Sequence, residues 1–155
     1  MRRAFLARSY PSSRNSKRLP VGAVISLNGK VVAEGRNSIW VPESNPGLHA
    51  EIAVLKAVPT ELWARSKEMT LYTTPEPCLM CASTILIHHI GRVVFGSRDG
   101  RGGVSFVFGH LPPHFEAELQ APEWVGPALP QECAELYETA LAVLAERKSR
   151  FSESE

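Results

Sequence analysis

His49-Ala50-Glu51 and Pro77-Cys78-Leu79-Met80-Cys81 are the two short stretches that most restrict how this chain can fold. One imidazole and two thiols are ligands of the kind zinc prefers, and three protein ligands leave one place of a tetrahedral shell for water. Glu51 is then a carboxylate beside a metal rather than a ligand, which is where a proton carrier is needed. Any fold of this chain has to bring the two stretches together.

The spacing says how. Two residues apart on a regular helix point about 200° from one another, so His49 and Glu51 converge only where a helix begins, with one side chain leaving from the turn before it. Cys78 and Cys81 are three apart, just inside a helix opened by Pro77, so their sulfurs project from one face. A helix N-terminus also favours the thiolate that binds metal. The expectation is two helix N-termini facing each other across one zinc ion. A Cys-x-x-Cys with a distant His also suits a structural metal clip or a redox pair. A clip ordinarily fills its fourth place with another Cys or His, and His88, His89, His110, His114 and Cys133 include none at ligand spacing.

Around the motifs the pattern alternates between strand and helix. Val21 to Leu27 and Val31 to Glu34 are β-prone runs joined by Asn28-Gly29-Lys30, a hairpin signal. Apolar residues at helical spacing predict a helix from His49 to about Leu62. Thr70 to Thr74 reads as a strand, Leu79 to His89 as a helix ended by Gly91, and Arg92 to Gly96 as a buried strand of the parallel type. The predicted order is β-β-α-β-α-β. From Ser97 to about Pro130 glycines and prolines loosen the pattern, and Gln131 to Arg147 returns to a clear helix with acids early and bases late. Cys133 lies on the apolar face of that helix and reads as a buried structural thiol.

At 155 residues, 44% hydrophobic and 21% charged, the chain suits one globular domain. Residues 1–150 are read as that domain and 151–155 as a disordered tail. No apolar run approaches the roughly 18–20 residues that span a bilayer, and no secretory pattern opens the chain. Three cysteines, two of them at metal spacing, fit a reducing cytoplasm better than a disulfide framework. The net charge of +1 hides an asymmetry, since Arg2, Arg3, Arg8, Arg14, Lys17, Arg18 and Lys30 precede any acid. That stretch reads as a nucleic-acid contact, a transit-like segment, or simply a solvated first helix and loop.

Residues about 20 to 98 resemble the cytidine and deoxycytidylate deaminase superfamily. The likeness rests on Pro20-Val-Gly-Ala-Val-Ile25, Asn45-Pro46 before His49-Ala-Glu51, Leu71-Tyr-Thr-Thr-Pro-Glu-Pro-Cys78 with Met80-Cys81, and Arg92-Val-Val-Phe-Gly96. The Glu-Pro-Cys-x-Met-Cys and Arg-Val-Val-Phe-Gly runs are most similar to the branch of tRNA adenosine deaminases and bacterial guanine deaminases. The resemblance implies a three-layer α/β/α fold with a mixed sheet of about five strands, a homodimer, and one Zn2+ per subunit held by His49, Cys78 and Cys81. It further implies hydrolytic loss of an exocyclic amine as ammonia, with Glu51 as acid and base. By the same likeness Asn37 hydrogen-bonds the base and the backbone of Ala50 contacts it; Asn37 by itself also reads as a turn residue after a strand.

The departures fall where substrate choice is made. Gly100-Arg-Gly-Gly103 replaces the Lys-Thr-Gly type of stretch common in the tRNA enzymes, and Leu48 stands where a small residue is usual. Without a Gly-Lys-Ser/Thr ending the glycines make no phosphate loop. Phe106, Phe108, Phe115 and Trp124 are candidates to stack on a base or to fill the core. The first expectation is therefore a free nucleobase or nucleoside as substrate, a purine such as guanine or adenine. A tRNA adenosine deaminase making inosine is the alternative. Cytosine, cytidine or deoxycytidylate deamination, or a non-catalytic zinc or nucleic-acid-binding module, complete the set.

Overall fold

A computed structural model describes residues 19–40, 44–104, 107, 109–118 and 120–152. The basic N-terminal stretch up to Arg18, Phe106, Phe108 and residues 153–155 lie outside them. Strands β1 (Gly22–Leu27) and β2 (Lys30–Arg36) form the expected hairpin. Asn28 and Gly29 both take positive φ, 51° and 74°, which is the primed turn whose twist matches the strands it joins.

β3 (Thr70–Pro75) lies antiparallel to β1, β4 (Arg92–Ser97) parallel to β3, and β5 (Glu123–Val125) parallel to β4. The five strands run in the order β2-β1-β3-β4-β5. The mixed sheet is the one expected, and β5 is the strand that the loose stretch after Ser97 conceals. Only three residues long, it offers too little alternation to be read.

Alternation of side chains across the strands builds a layer on each face. Ala23, Ile25, Leu71 and Val93 point to one side, where they pack with Ala50, Val54 and Leu55 of α1 (Ala50–Lys56) and Ile85 of α2 (Leu79–Ile87). Val24 and Tyr72 point to the other, against Cys133 of α4 (Pro130–Ser152). A short α3 (Pro113–Glu118) precedes β5. This is the three-layer α/β/α arrangement. Cys133 is fully buried and unpaired, as expected, and burial pushes its thiol up to about 11.

Three helix limits differ from the sequence reading. The helix expected from His49 to Leu62 stops at Lys56, and Thr60–Glu68 winds as a 3₁₀ helix with a break at Arg65. Pro59 is the cause, because it lacks an N–H and disfavours helical backbone at Val58. α2 ends at Ile87, with His88 as its cap and His89 taking the left-handed conformation (φ 55°). Gly91 is therefore not the terminator; a Cβ there would collide with the carbonyl of Lys67. α4 continues to Ser152, so residues 151 and 152 of the expected tail are helical.

Two glycines set how closely the layers approach. A Cβ on Gly35 of β2 would lie 2.5 Å from the Ala50 carbonyl oxygen and closer still to the Val54 nitrogen. One on Gly96 of β4 would meet the Cys133 sulfur and, at 2.8 Å, the Thr74 carbonyl. Gly35 thus lets α1 lie directly on the sheet. Gly35→Ala is expected to destabilise the protein by about 1–3 kcal/mol and to weaken zinc binding, because α1 must lift and carry His49 with it. Denaturant unfolding and zinc titration check this.

Candidate metal centre

Both metal-bearing stretches sit at helix starts. His49 is the N-cap of α1, with extended backbone (φ −69°, ψ 159°), and Glu51 lies in the first turn. That half-turn offset is what lets residues two apart face the same point. Cys78 is the N-cap of α2, also extended (φ −76°, ψ 172°), and Cys81 follows within the helix. Neither cap side chain bonds the helix it precedes, so both are free to turn toward each other.

The His49 Nδ1 atom lies 3.6 Å from the Cys78 sulfur and 3.5 Å from that of Cys81. Zinc–sulfur and zinc–nitrogen bonds of about 2.3 and 2.0–2.1 Å at the tetrahedral angle place such atoms about 3.6 Å apart. Both distances fit a zinc ion held between the imidazole and the sulfurs. Among the described residues this is the one grouping of three such side chains whose ligand atoms lie within 4.8 Å of one another.

The thiols share their protons unequally. A hydrogen bond from Cys81, with help from His49, holds Cys78 as a thiolate at about 4, while the same contact and burial push Cys81 up. The bond to Cys78 raises His49 above its ordinary range, against the opposing effect of burial. Glu51 is almost fully buried, and desolvation raises its carboxyl although the Thr73 hydroxyl, donating to Oε1 at 2.6 Å, acts against this. Its Oε2 lies 3.6 Å from the Cys81 sulfur.

A cavity of about 170 Å³ opens onto these groups, walled by Val21, Asn37, Ile39, Glu76, Asp99 and, from α4, Tyr137, Leu141 and Leu144. It lies past the C-terminal ends of the parallel strands β3 and β4, where open α/β sheets take ligands. A larger hollow of about 350 Å³, between Lys67, His89 and Glu123 at the opposite ends of those strands, holds none of these groups.

The structure brings Asn37 to the cavity: buried, its N–H donates to the Val21 carbonyl, and its side-chain oxygen accepts from the Ile39 amide at 3.3 Å. Ala50 is fully buried between His49 and Glu51 and does not line the cavity. Of the aromatic candidates, Trp124 packs against Phe95 with ring centroids 6.1 Å apart and belongs to the core. Phe115 is partly buried on α3 and is not in the cavity wall.

α4 supplies wall residues that the sequence reading did not foresee. Its Tyr137 hydroxyl donates to Asp99 Oδ1, which also accepts from the amides of Arg101 and Gly102 at 2.9 and 3.0 Å. Burial and then the Asp99 charge keep the Tyr137 phenol protonated. Glu76, buried between two prolines, accepts from the Asp99 amide at 3.4 Å, and Gly103 pairs with Cys78. Sequence reasoning missed Thr73, Glu76 and the α4 wall. For Thr73 a signal existed, since it is polar at a position that alternates with Leu71 on the core face.

Fold and shell together define a zinc-dependent deaminase: residues 1–97 match the cytidine and deoxycytidylate deaminase zinc-binding region, and the chain belongs to that family of enzymes, which hydrolyse C–N bonds. The tRNA-specific adenosine deaminase of Bacillus subtilis (strain 168) is 34% identical over 134 residues, 84% of this chain and 80% of that protein. The protein of that name from Agrobacterium fabrum is 40% identical over 87 residues, 55% of this chain and 56% of that one. A solved tRNA:A34 deaminase, studied for A-to-I editing at the wobble position, superposes with a TM-score of 0.69 at 29% identity over 87% of this chain and 96% of that one. Guanine deaminase from Nitrosomonas europaea shares the fold, with a TM-score of 0.62 at 22% identity over 90% of this chain and 78% of that one.

Loading zinc at neutral pH is expected to release about one to two protons per ion, from Cys81 and part of the His49 population, with none from Cys78. A pH indicator in weak buffer measures this. His49→Ala should lower zinc affinity strongly, as followed by competition with a chelator.

Proposed function

We propose that this chain deaminates adenosine in tRNA, converting it to inosine with release of ammonia. The observation that carries the reading is the match to the Bacillus subtilis tRNA-specific adenosine deaminase over 84% of this chain. It reverses the order of the two leading expectations, in which a free base or nucleoside came first. His49, Cys78 and Cys81 would hold the zinc, which when bound would supply the chemistry of making hydroxide available near neutral pH.

Glu51 handles the protons. It receives both from the attacking water and delivers one to the purine ring nitrogen beside the reacting carbon and the other to the departing amine. The oxygen ends on the ring carbon and the nitrogen leaves as ammonia. Burial raises the proton affinity of Glu51, which suits a group that must both accept and return a proton near neutrality. Asn37, held by its own backbone contacts, offers its amide to the base. The first-turn amide of Ala50, which α1 leaves without an intrahelical acceptor, is the second contact that the family likeness implies, although Ala50 is not itself in the cavity wall.

A free purine is the second reading, favoured by the small, apolar wall that Ala140, Leu141 and Leu144 give the cavity. Ammonia release across guanine, adenine, adenosine, cytidine and a tRNA anticodon stem-loop separates the two. The proposal expects inosine in the stem-loop at a rate that falls with salt; turnover of a free base with an unedited stem-loop sinks it. Glu51→Gln should keep zinc and lose about 10²–10⁴-fold in kcat.

The homodimer is proposed to form over α2, whose Leu79 and Ile87 are 57% and 56% exposed. Such side chains on one short helix are better accounted for by a second copy than by solvent. Among the described residues no helix is long and apolar enough to cross a membrane, and a metal-committed thiol pair suits the cytoplasm. Ile87→Glu is expected to halve the mass seen by light scattering.

A further inference from the structure

Thr73 sits in the middle of β3, paired with Ala23 of β1 and Phe95 of β4, and is fully buried. A hydroxyl on that apolar face must find a partner or cost stability. Its single proton goes to Glu51 Oε1 at 2.6 Å, while Oε2 lies on the side of Cys81, 3.6 Å from its sulfur. The two oxygens of the carboxylate are therefore not equivalent: one is engaged by the sheet and the other faces the metal ligands.

We propose that Thr73 is a positioning residue that fixes the rotation of the Glu51 carboxylate, so that Oε2 is the oxygen that takes and returns protons. The inference rests on the reading of Glu51 as proton carrier. A glutamate has three side-chain torsions, the last of them broad, and a buried carboxylate with no anchor would present either oxygen at varied angles. A threonine on a strand hydrogen-bonded on both sides is a rigid anchor, because its β-branched side chain has restricted rotation. Thr73 does not line the cavity, so it acts through Glu51 and not by touching substrate.

Steady-state kinetics of the zinc-loaded full chain, on whichever substrate of the panel it turns over, test this with three substitutions. Thr73→Val keeps shape and strand preference without the hydroxyl, Thr73→Ala removes the hydroxyl without adding bulk, and Thr73→Ser keeps it. Val and Ala are expected to retain full zinc occupancy and KM within about twofold while kcat falls about tenfold to a hundredfold, the scale of a misplaced reacting group. Ser is expected to restore most of kcat. Unchanged kcat in Val or Ala, an equal loss in Ser, or a loss that tracks zinc release or a raised KM overturns the proposal. Glu51→Gln runs alongside as a control. If it stays active, the proton-carrier reading fails; if it is inactive while Thr73→Val matches wild type, the positioning role alone fails.

Discussion

His49 belongs to one helix and the two sulfurs to another, yet its Nδ1 must stay 3.5 and 3.6 Å from them. A few tenths of an ångström is all that zinc–ligand bonds tolerate, so the helices α1 and α2 have to be fixed relative to each other before any metal arrives. They are fixed by sharing one face of the sheet, where Ala50, Val54 and Ile85 pack in the same cluster as Ile25, Leu71 and Val93. Gly35 brings α1 down onto β2, and the strand order sets β1 and β3 side by side beneath both helices. The apolar layer is thus the template on which the ligand geometry is held.

The opposite face helps to close the cavity beside the metal ligands. α4 reaches the cavity only because Gly96 lets Cys133 come close to β4, and its middle turns then carry Tyr137, Leu141 and Leu144 over the opening. The segment between β4 and α3 is tied to both sides, through Gly103 to Cys78 and through Asp99 to Tyr137. Wall and metal shell are one mechanical unit. Asp99 in turn donates through its amide to the carboxylate of Glu76, two residues before Cys78 at the start of α2.

What could be read from the chain is what is local in it. The hairpin was legible because Asn28-Gly29 specifies its own turn, and the metal shell because helix-start geometry is the only way for His49 and Glu51 to converge. Limits set by distant contacts were not legible. Gly91 looks like a helix stop, but it is the carbonyl of Lys67 that requires a glycine there, while His89 makes the turn. Thr73 looks like strand propensity, and its partner is 22 residues away. The apolar face of α4 announces a buried helix without saying which turn packs on Val24 and which overhangs a cavity. Trp124 was a candidate for stacking on a base and is instead the inner side chain of a strand too short to recognise.

The parts of the site occur in a definite order along the chain. His49, Cys78 and Cys81 are all in place by residue 81 of 155, on the elements from β1 to α2, whereas the part of the wall given by Tyr137, Leu141 and Leu144 comes from α4. During synthesis the ligands leave the ribosome well before the wall does, and nascent chains fold from the N-terminal side. The last part of the wall therefore arrives only when α4 packs on the sheet, through contacts that also tie Asp99 and Glu76 to the start of α2.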